Sequence, residues 1–156
     1  MSQLMTISDA VQTHARLHPE RLAARDSRRA LSYKVLDERA GKFATALQDL
    51  GLKQGDRVAI LAYNCVEWME LYVGLARAGL VAVPLNFRLS GPEIEYILGD
   101  CKTACMIVGA DFTAVVDSIR DQLRLPAGRL IALGEQAPAG WLSYEEVVSQ
   151  ASSARE

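Results

Sequence analysis

Apolar and polar residues alternate along this chain in blocks that predict helices and strands in turn. From Tyr33 to Leu50, apolar residues recur every three or four positions while charged residues occupy the opposite face. This spacing predicts a long amphipathic helix. Ser32 stands where an N-cap is needed, and Gly51 stands where the helix has to end.

A shorter helix and a hairpin are predicted before this long helix. The short helix has Ser8 as its predicted N-cap and ends before Pro19. Two short apolar runs follow at residues 22–25 and 30–32, and the polar residues 26–29 separate them. Two such runs around a polar turn predict a small antiparallel hairpin.

After the long helix, four short apolar runs alternate with helical segments. The runs are residues 57–61, 80–84, 104–108 and 129–133. The intervening helices are predicted to begin at capping residues: Asn64 with Glu67, Ser90 with Glu93, Asp111, and Ser143 with Glu146. Uniformly apolar strands separated by helices predict an α/β fold, with a Rossmann-like, doubly wound parallel sheet and helices on both faces.

The length of 156 residues suits one domain, and no internal repeat or low-complexity linker interrupts it. We expect residues 1–32 to form the N-terminal helix and hairpin, 33–151 the α/β subdomain, and 152–156 a polar tail.

Charge and cysteine content narrow the function classes. The 17 basic and 19 acidic residues give a net charge of −2, which excludes a strongly basic nucleic-acid-binding protein. Three cysteines in apolar surroundings cannot pair completely, so we expect free thiols and a cytoplasmic protein. Residues 1–10 lack a secretory signal pattern, and three charged residues interrupt the most apolar stretch, 65–85, so no transmembrane segment is predicted.

The loops that leave the predicted strands are the places where a ligand would bind in such a sheet. They are residues 62–63, 85–89, 109–110 and 134–135. A phosphate-binding loop needs several glycines so that consecutive backbone amides can turn toward the anion. None of these loops has that composition, and neither a G-x-G-x-x-G nor a G-x-x-x-x-G-K-[ST] motif occurs in the chain. A dinucleotide or P-loop site is therefore not expected.

The sequence also gives no support for a metal site or for a catalytic nucleophile. Cys101 and Cys105 have no second pair of ligands nearby, so we interpret them as small core residues. His14 and His18 share a helical face without a third ligand, and we interpret them as surface residues. One stripe of apolar side chains at helical spacing is predicted to face the core: Trp68, Met69 and Tyr72. We assign no catalytic residue and no metal ligand.

Arg88 is the one candidate binding residue. It lies between Pro84 and a capped helix start, at the predicted ligand-binding edge of the sheet. A guanidinium there could hold a phosphate or carboxylate through two hydrogen bonds. Alternatively, Arg88 is a surface residue paired with Glu93 or Glu95.

Several segments together resemble a known family. In order, they read Leu-Ser-Tyr at 31–33, Gly-Leu-Lys-Gln-Gly-Asp-Arg-Val at 51–58, Asn-Cys-Val-Glu-Trp at 64–68, and Ala-Gly-Leu-Val-Ala-Val-Pro-Leu-Asn-Phe-Arg-Leu at 78–89. This series resembles the N-terminal part of AMP-forming acyl-CoA synthetases, members of the adenylate-forming superfamily, over about residues 18–148. Residues 64–68 and 86–89 look most like those of bacterial fatty-acyl or aryl-acid CoA ligases.

The resemblance implies a ligase that uses ATP, Mg²⁺ and coenzyme A to convert a carboxylic acid to an acyl-adenylate and then to a thioester. It implies that Arg88 contacts a phosphate of coenzyme A and that Asn86 supports this loop. The family's Ser/Thr/Gly-rich phosphate loop, aromatic-Thr-Glu motif, ribose-binding Asp and C-terminal adenylation Lys have no counterpart in this sequence. We therefore expect a truncated N-terminal subdomain, without the downstream ATP-binding and C-terminal domains.

Such a subdomain would be inactive alone, would bind none of these cofactors tightly, and would self-associate through exposed apolar surface. Two other functions stay open. One is a free-standing, flavodoxin-like module that binds a small molecule, and the other is a protein-interaction module that uses the sheet edge or the last helix. The carboxylic acid itself is not indicated by the sequence.

Overall fold

A computed structural model describes residues 5–134 and 136–152, which form two compact units. The first, called the helical unit, runs through Lys53, continues over Asn64–Gly79 and includes the chain from Gln150. The second, called the sheet unit, comprises Gln54–Tyr63 and Leu80–Ser149. The predicted domain boundaries after residues 32 and 151 stay predictions.

The helical unit contains the predicted N-terminal helix, hairpin and long helix, together with one later helix. Its elements are α1 Ile7–Leu17, β1 Leu22–Arg25, β2 Ala30–Ser32, α2 Tyr33–Asp49 and α3 Glu67–Arg77. The two strands pair antiparallel, as predicted. The Ser32 Oγ accepts a hydrogen bond from the Val35 N–H at 3.3 Å, which confirms Ser32 as the N-cap of α2. Gly51 has a φ of +87°, and this left-handed conformation lets the chain leave the helix.

The start of α1 differs from the prediction. Thr6, not Ser8, is the N-cap: the Thr6 hydroxyl accepts from the Asp9 N–H, and the Asp9 carboxylate accepts from the Thr6 N–H at 2.8 Å. Ser8 is buried in the first turn, where its hydroxyl accepts a hydrogen bond from Arg77 Nε at 3.0 Å. Thr6 and Ser8 both carry a hydroxyl that could cap this helix. Thr6 is the cap because the carboxylate of Asp9 lies three residues after it.

Helix α3 also begins later than predicted. Asn64 does not open it; Val66 is the N-cap residue and provides no side-chain hydrogen bond. Glu67, predicted to complete a capping box, is buried and instead binds the guanidinium of Arg28. The Glu67 carboxylate in the first turn of α3 therefore forms an ion pair with a residue distant in sequence and does not cap the helix.

Apolar side chains from α1, β2, α2 and α3 form the core of the helical unit. Its buried members are Val11, Leu31, Leu36, Ala40, Val66 and Val73. Helices α2 and α3 approach closely where α3 carries Gly74. A Cβ atom at Gly74 would lie 2.7 Å from Phe43 Cδ1 and 3.0 Å from the Ala40 carbonyl oxygen.

The sheet unit contains the predicted parallel sheet. Its elements are β3 Arg57–Leu61, β4 Val81–Pro84, α4 Gly91–Asp100, β5 Thr103–Gly109, α5 Thr113–Ser118, β6 Leu130–Leu133 and β7 Leu142–Ser143, and α6 Tyr144–Gln150 follows. The strand order is β4-β3-β5-β6-β7, with parallel pairing throughout. A five-stranded parallel sheet flanked by helices confirms the α/β class. The prediction of four strands was incomplete, because β7 has two residues and no periodicity to detect.

One face of the sheet packs against α4 and α5 in a single apolar cluster. The strands contribute Ala59, Leu61, Met106, Val108, Leu130 and Ala132, and the helices contribute Ile94, Leu98, Val116 and Ile119. The alternate strand residues Val58, Ile60 and Ile107 are 0% exposed as well. Burial on both faces explains why these strands are uniformly apolar in the sequence.

Two of the three remaining capping predictions hold. Glu93 Oε2 accepts from the Ser90 N–H at 2.8 Å, which completes the predicted capping box of α4. The Ser143 Oγ accepts from the Glu146 N–H at 3.4 Å at the start of α6. Asp111 is not a cap: it lies inside the 3₁₀ turn Ala110–Phe112 that precedes α5. Across the residues that the structure describes, no helix is both long and apolar enough to span a bilayer.

Replacing Gly74 with alanine tests the close approach of α2 and α3. We expect Gly74→Ala to lower the free energy of unfolding by about 1–2 kcal/mol, since overpacking costs about 1–3 and helix propensity returns up to about 1. Gly99→Ala in α4 is the matched control, because a Cβ atom there meets no atom within 4 Å. It should be neutral or stabilising by up to about 1 kcal/mol. Urea unfolding measures both, and equal stability of the two variants would contradict the packing described here.

Candidate ligand-binding edge of the sheet

Three neighbouring strands of the sheet unit end near aromatic residues that contact one another. Tyr63 follows β3, Phe87 follows β4 and Phe112 follows β5. The Tyr63 ring centroid lies 5.0 Å from that of Phe87 and 4.8 Å from that of Phe112, with ring planes tilted by 57° and 59°. Phe112 is 8% exposed, whereas Tyr63 is 50% and Phe87 43% exposed. We call these three residues the aromatic ladder, because they run from the core to the surface.

The loop after β4 is fixed by its own backbone and by Asn86. The Leu85 N–H donates to the Ile60 carbonyl at 2.8 Å, which continues the pairing of β4 with β3. The Asn86 Oδ1 accepts from the Arg88 N–H at 3.0 Å, and the Asn86 carbonyl accepts from the Leu89 N–H at 3.1 Å. An asparagine side chain that bonds the backbone two residues later defines a tight turn.

Arg88 extends from this turn into solvent. Its guanidinium carbon lies 5.5 Å from the centroid of the Phe87 ring, within cation–π range. Within residues 5–134 and 136–152, no carboxylate forms an ion pair with it. The interpretation that it pairs with Glu93 or Glu95 is therefore wrong for this structure, and Glu93 is bonded to Ser90 instead. A guanidinium without a counter-ion at the carboxyl edge of a parallel sheet can donate hydrogen bonds to a phosphate or a carboxylate.

The other loops at this edge offer little room. At the end of β5, a Cβ atom on Gly109 would lie 3.2 Å from the Cβ of Ala62, so the ends of β3 and β5 are tightly packed. After β6, Gly134 has a φ of +126°, and Glu135 lies outside the described residues. The loops that the structure describes contain no run of glycines whose amides could surround a triphosphate.

Of the two cysteines interpreted as core residues, only Cys105 is fully buried, and the two histidines interpreted as surface residues are exposed. Cys105 is fully buried, and burial raises the pKa of its thiol to about 12, so it is an inert core residue. Cys101 is half-buried, with its Sγ 2.8 Å from Thr103 Oγ1. His14 is exposed and stacks on Tyr33 at 4.8 Å. In the described part of the chain, no group of three or more His, Cys, Asp or Glu side chains is arranged to hold a metal ion.

The stripe of Trp68, Met69 and Tyr72 is only partly in the core. Met69 packs against the core of the helical unit, as predicted. Tyr72 is 36% exposed, so its predicted burial is wrong. The Trp68 and Tyr72 rings lie 5.4 Å apart, since residues four positions apart share a helix face.

A network of charged residues joins the hairpin turn to α3 within the helical unit. Asp26 accepts hydrogen bonds from the backbone N–H groups of Arg29 at 2.9 Å, Val66 at 2.9 Å and Arg28 at 2.8 Å. These three donors hold the pKa of the Asp26 carboxyl well below its ordinary value. Asp26 thereby fixes both the hairpin turn and the start of α3.

Two glutamates of α3 complete this network. Glu67 binds the guanidinium of Arg28 through both oxygens at 2.8 Å. Burial raises its pKa, but hydrogen bonds from its own backbone, Cys65 and Arg28 outweigh burial and keep the pKa below the ordinary value. Glu70 is 0% exposed and accepts from Arg29 and Arg39, each at 2.9 Å. Since every carboxylate has a guanidinium partner, the network is structural.

Sequence reasoning found Arg88 and Asn86 but missed the aromatic ladder and the charged network. The members of the aromatic ladder stand singly just beyond three separate strand ends, so no local pattern of residues marks them as a group. Glu67 was assigned to a helix cap because local spacing says nothing about Arg28, which is 39 residues away.

The chain is similar to a large group of known proteins. A family model described as "AMP-binding enzyme" matches residues 11–155. The indoleacetate–CoA ligase of Aromatoleum aromaticum is 35% identical over 150 residues, which are 96% of this chain and 29% of that protein. A long-chain-fatty-acid–CoA ligase of Mycobacterium tuberculosis is 42% identical over 96 residues, which are 62% of this chain and 19% of that protein.

Among solved structures, an anthranilate–CoA ligase in complex with anthranoyl-AMP superposes with a TM-score of 0.90 at 26% identity, over 97% of this chain and 29% of that one. The chain therefore spans less than a third of the length of each of these three proteins.

The charged network predicts a specific dependence of stability on pH. Because the pKa of Asp26 is lower in the folded chain, its stabilising contribution is present above the ordinary aspartate pKa, near 4, and declines as the pH falls below it. Asp26→Asn should therefore be less stable than wild type at pH 7, and the difference should shrink between about pH 5 and about pH 3.

Urea unfolding at several pH values measures this difference. Asp121→Asn, which alters an exposed aspartate of the sheet unit, is the control and should keep the wild-type dependence. A gap between Asp26→Asn and wild type that stays constant down to about pH 3 would contradict the low pKa of Asp26.

Proposed function

Because the chain belongs to the AMP-binding enzyme family, we propose that it forms the N-terminal part of an ATP-dependent, AMP-forming carboxylate–CoA ligase. The match over residues 11–155 carries this proposal. The similar proteins named above are CoA ligases for indoleacetate, long-chain fatty acids and anthranilate, which supports a fatty or aromatic carboxylic acid as the substrate.

A carboxylate is a poor electrophile until one of its oxygens becomes part of a good leaving group. A ligase of this type first joins the acid to AMP with release of pyrophosphate, and the thiol of coenzyme A then displaces AMP. Magnesium and cationic groups offset the negative charge on the phosphates. We assign to this chain a binding role at the coenzyme A step.

Coenzyme A fits the residues at the sheet edge. Arg88 presents an exposed guanidinium without a carboxylate partner among the described residues, and Asn86 fixes the turn that carries it. Its planar donors match two oxygens of a phosphate. We therefore propose that Arg88 binds a phosphate of coenzyme A and that Asn86 supports this loop.

ATP with Mg²⁺ does not fit the described residues in the same way. They include neither a glycine-rich phosphate loop nor a cluster of metal-binding side chains. We assign no residue of this chain to the adenylation step, and we propose that the chain alone is inactive and binds these cofactors weakly. A cytoplasmic location and self-association also stay proposals.

The absence of adenylation activity is directly testable. We expect no ATP–pyrophosphate exchange above background when the purified chain is incubated with fatty or aromatic acids, because the described residues include neither a glycine-rich phosphate loop nor a cluster of metal-binding side chains. The indoleacetate–CoA ligase of Aromatoleum aromaticum, assayed with indoleacetate, is the positive control. Exchange by this chain with any of the acids would overturn the proposal of inactivity.

The role of Arg88 is tested by titrating the isotope-labelled chain with coenzyme A and following amide chemical shifts, which suits weak binding. Arg88→Gln should weaken binding about threefold to tenfold, because it removes one solvent-screened guanidinium–phosphate contact. Arg124→Gln, at another exposed arginine of the sheet unit, should bind like wild type. Equal affinity of wild type and Arg88→Gln would remove Arg88 from the site, and tighter binding of flavin mononucleotide than of coenzyme A would favour a flavodoxin-like module.

A further inference from the structure

We infer that Tyr63 is a positioning residue: its ring supports the Phe87 ring and thereby orients the guanidinium of Arg88 at the carboxyl edge of the sheet. This inference deepens the proposed function and rests on it for the identity of the bound group, a phosphate of coenzyme A. It concerns Tyr63, which lies outside the motif segments quoted above.

An exposed arginine needs support to present its guanidinium in one direction. The Arg88 side chain has several freely rotating bonds, and ordering them on binding reduces affinity. Its backbone is already fixed by the Asn86 turn. Its guanidinium carbon lies 5.5 Å from the Phe87 centroid, so the face of this ring restricts where the charge is held.

Phe87 cannot provide this support by itself, because 43% of it is exposed. The Tyr63 ring lies 5.0 Å away at a tilt of 57°, within the range of distances at which aromatic rings attract each other. Phe87 therefore has a preferred orientation that a flexible aliphatic neighbour would not impose.

Tyr63 is in turn anchored to the core of the sheet unit. Its ring lies 4.8 Å from Phe112, which is 8% exposed and belongs to the apolar cluster beneath α4 and α5. Its backbone follows Ala62, which packs tightly against Gly109 at the end of β5. A continuous series of contacts thus joins the buried core, through Phe112, Tyr63 and Phe87, to the exposed guanidinium.

Ring-current shifts test the orientation of Arg88 without any ligand. In the labelled wild-type chain, the side-chain proton resonances of Arg88 should be displaced upfield by the Phe87 ring. Tyr63→Leu should reduce this displacement by at least half, Tyr63→Phe should retain it, and Phe87→Leu should abolish it. Tyr96→Leu, at a tyrosine of α4 that is 73% exposed, is the control and should leave it unchanged.

Coenzyme A titrations then measure the effect on binding. We expect Tyr63→Leu to weaken binding about twofold to fivefold, or about 0.4–1 kcal/mol at 1.4 kcal/mol per factor of ten. Tyr63→Phe should bind within about twofold of wild type, since the aromatic face is conserved. Rescue by phenylalanine separates a role of the ring from general destabilisation, which thermal unfolding of each variant measures independently.

The two measurements distinguish failure of the inference from failure of the proposed function. If Tyr63→Leu leaves both the Arg88 resonances and the affinity unchanged while Arg88→Gln binds weakly, the positioning role is overturned and the proposed function stands. If wild type and Arg88→Gln show the same response to coenzyme A, the proposed role of Arg88 fails. The ligand-free shifts of Tyr63→Leu and Tyr63→Phe then still decide whether Tyr63 orients the guanidinium.

Discussion

Parallel pairing of β3 with β4 on one side and β5 on the other determines what this chain can offer to a ligand. Because the three strands run in the same direction, their carboxyl ends meet at one edge, and the residues beyond them become neighbours. The Tyr63 ring contacts those of Phe87 and Phe112, which are 24 and 49 residues away in sequence. The same strand pairing that builds the buried sheet therefore also brings together the aromatic ladder and the Arg88 guanidinium beside it.

The charged network in the helical unit fixes the position of the hairpin. A short hairpin has too little apolar surface to fix its own position, and β1 and β2 contain four and three residues. Asp26 links the hairpin turn to the backbone at the start of α3, while Glu67 and Glu70 bind arginines of the turn and of α2. Removing one partner would leave the other charge without compensation, so the network acts as a unit.

The two units differ in how far the sequence predicts them. Short, uniformly apolar runs bounded by turns identified β3, β5 and β6, because burial on both faces leaves a continuous apolar signal in the sequence. The capping box of Ser90 and Glu93 was predictable because both of its hydrogen bonds are local. The prediction of Ser8 as the cap of α1 missed the same kind of local signal, since Asp9 lies three residues after Thr6, and the Ser8 hydroxyl binds Arg77 instead.

In the candidate site, too, features formed by residues close together in sequence are predictable, and contacts between distant residues are not. Asn86 and Arg88 are recognisable because their turn is encoded within four residues. The side chains around them come from strands that are adjacent in the sheet but separated in sequence, so periodicity cannot group Tyr63 with Phe87. The position of Arg88 in its loop made it a candidate from the sequence alone, whereas the aromatic residues beside it became visible only once the strand order was known.

This chain spans less than a third of the length of each CoA ligase named above, and the proposed function gives it a binding role only. Groups that form and break bonds need exact placement of charge around ATP, and none of the described residues offers the glycine-rich loop or the metal cluster for that task. The proposed binding of a phosphate of coenzyme A needs less: one guanidinium, a fixed turn and an aromatic support can hold an anion weakly. A site of this kind needs no separate scaffold. Its side chains lie directly beyond the ends of β3 and β4, and the packing of the core already fixes the positions of these strand ends.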